Sequence, residues 1–212
     1  MLQYRAVYPS TLELLKKLMQ LSELQDFFLV GGTALALQLG HRISVDIDLF
    51  TQKDFDTNEL FNNLNSKFVI ADKSEGTNTL NFTILFPEQT DNMVKVYLIK
   101  YPYALIQPII EYDGLRLLSI EDIIPMKLSA VAGRGSKKDF YDIFYLLQKY
   151  SFAQMFVFLE QKFKNTNTFH VLKSLTYFED AEIEPNPVTI GNADWDEIKR
   201  TITHEANVYL SR

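Results

Sequence analysis

Residues 27–50 of the chain read FFLVGGTALALQLGHRISVDIDLF, and this stretch decides the fold. Residues 27–30 are apolar and long enough for a buried strand, which Gly31 and Gly32 then interrupt. The helix-forming residues 33–39 predict a short helix that ends at Gly40, because glycine is favoured just after a helix. Alternating apolar and acidic residues at 45–50 predict a second strand. The predicted order is therefore strand, glycine turn, helix and strand.

The second strand carries two carboxylates, Asp46 and Asp48, on one face. At a rise of about 3.4 Å per residue they lie about 7 Å apart along the strand. Carboxylate oxygens suit Mg²⁺, which also takes ligands from substrate phosphates. The backbone N–H groups of Gly31, Gly32 and Thr33 offer an anion site at the start of the helix. Together these features predict a metal-dependent nucleotidyl-transfer site; the alternative is a common glycine turn beside a solvated strand face.

The joint spacing, with thirteen residues between Gly32 and Asp46, resembles the signature of the polymerase-β-like nucleotidyltransferase superfamily. More narrowly, GGTALALQLGHRISVDIDLF resembles the AbiEii/AbiGii-type toxins of bacterial abortive-infection and toxin–antitoxin systems. The resemblance covers about residues 27–150. It implies that a nucleoside monophosphate is transferred from an NTP to RNA, particularly the 3′ end of tRNA, and that a cognate antitoxin exists. One departure is Tyr97, which stands where the superfamily often has a third acid.

A second group of charged residues lies in residues 121–147, EDIIPMKLSAVAGRGSKKDFYDIFYLL. Lys127 and Arg134 are seven residues apart and share one helical face if the helix persists that far. In the next predicted helix Asp139 falls inside the apolar arc and Asp142 lies at its edge. A carboxylate that points toward a core needs a cation or hydrogen-bond donors. The alternative for Asp139 is a helix cap, since Ser136 lies three residues before it.

This stretch resembles the downstream signature of the same toxin family. By that resemblance Lys127 would contact the triphosphate, Arg134 would help to bind it, and Asp139 or Asp142 would complete the active site. The alternative for Lys127 is an exposed helix lysine.

Lys137 and Lys138 are interpreted as solvated charges, although with Lys127 and Arg134 they form the densest positive cluster of the chain. His41 and Arg42, between the helix and the acidic strand, are candidates for a phosphate or RNA contact.

The composition limits the classes of protein and partner. The 212 residues are 47% hydrophobic, which allows one domain or two small ones with a buried core. There is no cysteine, and the three histidines form no zinc pattern, so we expect a cytoplasmic protein without disulfides. No apolar run predicts a membrane span or a signal peptide. The net charge of −6 argues against broad nucleic-acid coating but allows a local basic patch.

The remaining pattern predicts an α+β fold. Residues 1–112 are expected to form a nucleotidyltransferase-like domain with a mixed sheet and helices. Residues 113–212 are expected to form a helical domain that contributes to the active site. Helices are predicted at 10–24, with a capping box at its start, and at 56–64, 119–132, 137–150, 168–178 and 194–210. Strands are predicted at 67–71, 80–86, 93–100 and 115–118, with turns at 72–78 and 88–92.

Two rival functions remain open at this point. The first is a binding module that keeps the fold but has lost the chemistry, which Tyr97 in place of a third acid favours. The second is a nucleotidyltransferase that modifies small molecules such as antibiotics, which the acidic net charge mildly favours.

Overall fold

A seven-stranded mixed sheet forms the centre of the computed structural model, which describes residues 1–86 and 93–211. Its strands are β1 Phe28–Leu29, β2 Ile47–Thr51, β3 Val69–Gly76, β4 Thr79–Leu85, β5 Met93–Lys100, β6 Ile110–Tyr112 and β7 Leu115–Leu117. The spatial order is β3-β4-β5-β2-β1-β7-β6. The acidic strand β2 is central, with β5 parallel on one side and β1 antiparallel on the other.

Helices cover the sheet and make up most of the chain after β7. They are α1 Pro9–Met19, α2 Gly31–Leu39, α3 Thr57–Asn65, α4 Ile120–Gly133, α5 Lys137–Leu147, α6 Phe152–Lys162, α7 Thr168–Ser174, α8 Glu179–Glu182 and α9 Trp195–Leu210, with 3₁₀ turns at Tyr4–Ala6 and Ser22–Leu24. Helix α2 contacts β2, α4 and α5, and α4 also contacts α5, α6 and α7. The α+β class, with a mixed sheet followed by a helical region, is confirmed. Among the described helices, none is long and apolar enough to cross a membrane.

Local hydrogen bonds account for several element boundaries. Asp56 caps α3 by accepting from the backbone N–H groups of Asn58 and Glu59. Ser119 caps α4 in the same way, through the N–H of Asp122. Gly40 ends α2 in the left-handed conformation, with φ +71°. In β5 the alternation is as predicted, since Val94, Val96 and Leu98 are buried.

Several predicted boundaries are wrong. Helix α1 begins at Pro9 with Tyr8 before it, so no capping box forms at Ser10; proline suits the first helical position because its φ is already helical. The polar turn predicted at 72–78 is mostly strand, because β3 lies at the sheet edge and keeps its polar side chains in water. The helix predicted at 168–178 ends at Ser174, and β6 was not predicted. The turn predicted at 88–92 lies outside the described residues.

The predicted domain boundary at residue 112 falls inside the β6–β7 hairpin. Strand β7 pairs in parallel with β1, so the sheet includes residues from both predicted domains. The division into two domains remains a prediction.

Candidate active site

Asp46 and Asp48 both line a cleft of about 580 Å³ at the centre of the sheet. Strand β2 begins at Ile47, so Asp46 lies just before the strand rather than within it. The carbonyl of Asp48 accepts a hydrogen bond of 2.9 Å from the N–H of Val30, the residue after β1. This bond brings the glycine turn directly beside the acids.

The two glycines allow the start of α2 to approach charged groups very closely. Gly31 has φ +66°, and a Cβ there would lie 2.6 Å from Oδ2 of Asp48, so only glycine fits. A Cβ at Gly32 would lie 2.6 Å from Nη2 of Arg42. The first N–H groups of a helix have no partner inside the helix and bind anions readily. The start of α2 and Arg42 together therefore provide donors for a phosphate.

Thr33 holds the backbone next to the acids. Its buried hydroxyl donates to the carbonyl of Asp46, which can only accept. The hydroxyl of Ser44 then donates to Oγ1 of Thr33 at 2.8 Å. Thr33 thus positions Asp46 with its side chain, and its backbone N–H remains as its possible contact with a phosphate.

Asp142 is fully buried and contacts two cations, Arg42 and Lys127, and the ring of His41. Its carboxylate accepts from Nε (2.7 Å) and Nη2 (3.0 Å) of Arg42 and lies 2.6 Å from Nζ of Lys127 and 2.7 Å from Nε2 of His41. Burial alone would raise the pKa of Asp142, but Arg42 and Lys127 hold that pKa well below its usual range. These two cations therefore favour the ionised form of Asp142 despite its burial.

Asp139 is the second buried anion, and it was predicted to need a partner. It accepts from Nε (2.8 Å) and Nη2 (2.9 Å) of Arg134 and from Nζ of Lys127 at 3.3 Å. Ser136 makes no side-chain cap to α5, so the helix-cap alternative for Asp139 is wrong. Lys127 is 4% exposed, so the exposed-lysine alternative is wrong as well.

The two buried aspartates hold three cations at the cleft wall. Arg42, Lys127 and Arg134 line the cleft, whereas Asp139 and Asp142 are enclosed behind them. The ammonium of Lys127 has three N–H donors; it donates one to Asp139 and forms an ion pair with Asp142 at 2.6 Å. One donor remains for a ligand, and Nη1 of Arg134 is likewise left beyond its bonds to Asp139.

Asp48 is in the opposite electrostatic situation. Burial raises its pKa to about 6, and repulsion from Asp46 adds to the effect, while Lys127, Lys138 and Arg134 offset it only in part. Among the residues that the structure describes, no lysine, arginine or histidine nitrogen lies within 4.0 Å of either carboxylate. A pair of under-neutralised carboxylates is a donor set that fits a divalent cation.

Tyr97 lies beside Asp48 in the parallel register of β2 and β5 and also lines the cleft. Tyr97 therefore lies next to the acidic strand, at the position where a third acid was expected to be replaced by tyrosine. Within residues 1–86 and 93–211 no group of three or more histidine or acidic side chains could hold a metal ion together. Any cation at this site would therefore rely on Asp46, Asp48 and its substrate.

The neighbouring basic residues divide into two groups. Lys138 is exposed and lines the cleft. Arg42 also lines the cleft, but most of its side chain is buried. Lys137 is buried, donates to the carbonyl of Glu182 and lies over the ring of Trp195, so its interpretation as a solvated charge is wrong. His41 is buried, and its Nε2 hydrogen-bonds to the carboxylate of Asp142.

Two parts of the cleft were not predicted from the sequence. Tyr8 lines it from the start of α1, and residues 186–188, which we call the closing segment, line it from the loop before α9. Both are held by extended backbone at residues 42–44. Val7 pairs with Ser44, and Thr189 pairs with Arg42. The Glu-Pro-Asn-Pro sequence at 184–187 is typical of a loop, but no local pattern indicates which surface a loop will cover.

Comparisons with known proteins identify the family of the chain and its fold. The family described as "Nucleotidyl transferase AbiEii toxin, Type IV TA system" matches residues 13–208. An uncharacterized protein of Aquifex aeolicus (strain VF5) is 32% identical over 210 residues, which cover 93% of this chain and 95% of that protein. The fold is similar to MenT4, a nucleotidyltransferase toxin from Mycobacterium tuberculosis H37Rv, with a TM-score of 0.67 at 12% identity over 95% of this chain and 83% of that chain. JHP933 from Helicobacter pylori gives a TM-score of 0.58 at 17% identity over 95% and 92%.

Proposed function

The chain belongs to the AbiEii family of nucleotidyltransferase toxins, and from that premise we propose that it transfers a nucleoside monophosphate from an NTP to the 3′ end of an RNA, with tRNA as the expected acceptor. The family match runs from residue 13 to 208, well beyond the 27–150 that the sequence indicated. In the proposed reaction an acceptor hydroxyl attacks the α-phosphorus. A new P–O bond forms, the bond to pyrophosphate breaks, and the hydroxyl proton is released.

One observation carries the proposal, namely the division of charge between the four acids. Asp139 and Asp142 are neutralised by protein cations, whereas Asp46 and Asp48 face the cleft without one. A cleft with two unneutralised carboxylates at one place and several cations beside it suits a triphosphate that arrives with a divalent metal.

We propose that Asp46 and Asp48 would hold Mg²⁺, which would supply positive charge for the triphosphate and for the departing pyrophosphate. Groups of the protein would neutralise the remaining negative charge of the phosphates. Lys127 offers its free ammonium donor, and Arg134 offers a guanidinium that is still half exposed. Gly32 contributes an N–H at the start of α2. Asp139 and Asp142 orient these cations and do not touch the substrate.

The proposed RNA contact is local because the chain as a whole is acidic. Arg134 and Lys138 stand exposed at the cleft and can meet a few phosphates near a strand end. Each phosphate neutralised on a single strand adds about 0.7 to the log–log salt slope. We therefore expect RNA labelling to persist at moderate salt.

The test is incubation of the purified chain with radiolabelled NTPs, Mg²⁺ and total bacterial RNA, followed by gel analysis. A labelled tRNA-sized band is expected, absent with Asp48→Asn and weakened with Lys138→Glu. Lys173→Glu, which reverses an exposed lysine on α7, is the matched control and should label like the wild type. If RNA stays unlabelled with every NTP while a small hydroxylated compound accepts the nucleotide, the RNA proposal fails and small-molecule modification replaces it.

Tyr97 favours a second candidate, a nucleotide-binding module without transfer. Its phenol cannot add a third carboxylate beside Asp48. NTP binding that depends on Mg²⁺, with no labelled product from RNA or small hydroxylated compounds, would favour this candidate.

The family description also supports a cognate antitoxin as partner, which we propose acts in the cytoplasm together with the enzyme. Expression of the chain should arrest growth, and co-expression of the product of the neighbouring gene should relieve the arrest.

A further inference from the structure

The part of the cleft next to the extended residues 42–45 is lined by apolar side chains that the chemistry proposed above does not use, and we call this part the apolar end. Tyr8, Val45 and Val188 are 48%, 46% and 62% exposed, and all three line this one cleft. Pro187 lies half-buried beside them. Large apolar side chains are costly to leave in water, and their concentration in one concave site indicates a ligand with an apolar surface.

Backbone hydrogen bonds hold the walls of this apolar end. The N–H of Ser44 donates to the carbonyl of Ala6 at 2.9 Å, and the N–H of Ile43 donates to the carbonyl of Val188 at 2.8 Å. Successive N–H groups of extended backbone point in opposite directions, so these partners lie on opposite edges of residues 42–44. The N–H of Ile190 adds a bond of 2.9 Å to the carbonyl of His41. Tyr8 and Val188 are thus fixed by main chain on two sides of the segment that leads to Asp46.

The closing segment also brings a polar group to the apolar end. Asn186 is exposed and lines the cleft next to Pro187. Its side-chain amide presents both donors and an acceptor. A planar ligand with an apolar face and a hydrogen-bonding edge matches this combination, and nucleobases have that chemistry.

We propose that the apolar end receives the nucleobase of the NTP, with Tyr8 stacked on the face of the base and the amide of Asn186 bonded to its edge. This inference rests on the proposed function, which assigns the triphosphate to the charged end of the same cleft. The volume of about 580 Å³ is in the range of sites for small ligands. Asn186 is then the residue that distinguishes one NTP from another.

Calorimetric titration of the intact chain in Mg²⁺ tests the inference, with each of the four NTPs and with inorganic tripolyphosphate as ligands. The wild type should bind at least one NTP more tightly than tripolyphosphate. Tyr8→Ala should weaken NTP binding roughly 10-fold, the loss of one base–aromatic stack, and leave tripolyphosphate binding unchanged. Tyr8→Phe keeps the ring and should bind like the wild type. Tyr177→Ala, which removes a tyrosine of similar exposure (49%) elsewhere, is the matched control.

Asn186→Ala should reduce the differences in affinity among the four NTPs. Because Tyr8 and Asn186 are exposed, melting temperatures should stay at the wild-type value.

The possible failures are distinguishable. If Tyr8→Ala binds all four NTPs as the wild type does, or loses tripolyphosphate binding equally, the base site is refuted while the charged end stands. If the wild type binds neither tripolyphosphate nor any NTP in Mg²⁺, the proposed function fails, and the base site fails with it.

Discussion

Replacing Asp48 by asparagine is expected to stabilise the metal-free protein while it abolishes metal binding. Burial and the neighbouring Asp46 raise the pKa of Asp48 from 3.8 to about 6. A carboxyl whose pKa is higher in the folded state binds its proton more tightly there. The free energy of unfolding therefore falls as the pH rises from about 4 to 6, and the full penalty is present above pH 6. Asparagine keeps the shape of the side chain and removes the charge.

The size of the effect follows from the same displacement of the pKa. At about 1.4 kcal/mol for each pH unit, the ionised carboxylate costs about 3 kcal/mol in the absence of metal. In a chain of this length 1 kcal/mol moves the melting temperature by about 2–4 °C, so the variant should melt roughly 6–12 °C higher at pH 7.5. Below about pH 4 Asp48 is protonated in both states, and the two proteins should converge.

Thermal unfolding in the presence of a chelator measures this difference, and added Mg²⁺ should then stabilise the wild type alone. The control is the same substitution at Asp142. There the loss of charge leaves Arg42 and Lys127 buried without their anion, which should cost about 3–5 kcal/mol and lower the melting temperature. The same aspartate-to-asparagine change is thus expected to raise the melting temperature at Asp48 and to lower it at Asp142.

Two results would refute the reasoning. If the chelated Asp48→Asn variant melts at or below the wild-type temperature at pH 7.5, the charge of Asp48 is already compensated within the protein. If Mg²⁺ stabilises the variant as much as the wild type, Asp48 is not a metal ligand.

Three further substitutions test the geometry. Gly31→Ala should lower stability by about 1–2 kcal/mol, the cost of a left-handed residue, and should remove the Mg²⁺-dependent rise in melting temperature because its Cβ displaces Asp48; unchanged metal binding would contradict this. Gly191→Ala would place a Cβ 1.9 Å from the hydroxyl oxygen of Tyr145 and should displace the closing segment, which lies three residues earlier in the chain. Titration should then show weaker NTP binding, and adding Tyr145→Phe should restore part of that binding. Lys127→Ala should weaken both tripolyphosphate binding and thermal stability, since the ammonium contacts two buried anions; loss of stability without loss of binding would make Lys127 purely structural.

The features that could be predicted from the sequence are those made by residues close together in the chain. The caps at Asp56 and Ser119 and the left-handed Gly40 each depend on hydrogen bonds within about one helical turn. The glycine turn was predicted too, but its helix begins at Gly31, two residues earlier than expected. A glycine with positive φ as the first helical residue follows from the close approach of Asp48, which no local propensity describes.

The features that escaped prediction depend on contacts between distant residues. Asp139 is a partial exception, because the apolar arc of α5 indicated that this residue needs a cation and its partner Arg134 lies only five residues earlier. Arg42 and Asp142 are 100 residues apart, and their pairing depends on how α2 packs on α5. Strand β3 has the polar composition of a turn, and only its place at the sheet edge makes it a strand.

The closing segment has a consequence for how the enzyme is made. Asn186 follows Asp46 by 140 residues, so at roughly 5–20 residues per second the ribosome adds this wall roughly 7–30 s after the first acid. A nascent chain therefore contains its glycine turn and both acids well before it has a complete cleft. The order of translation therefore delays the first moment at which the active-site cleft of this enzyme can be complete.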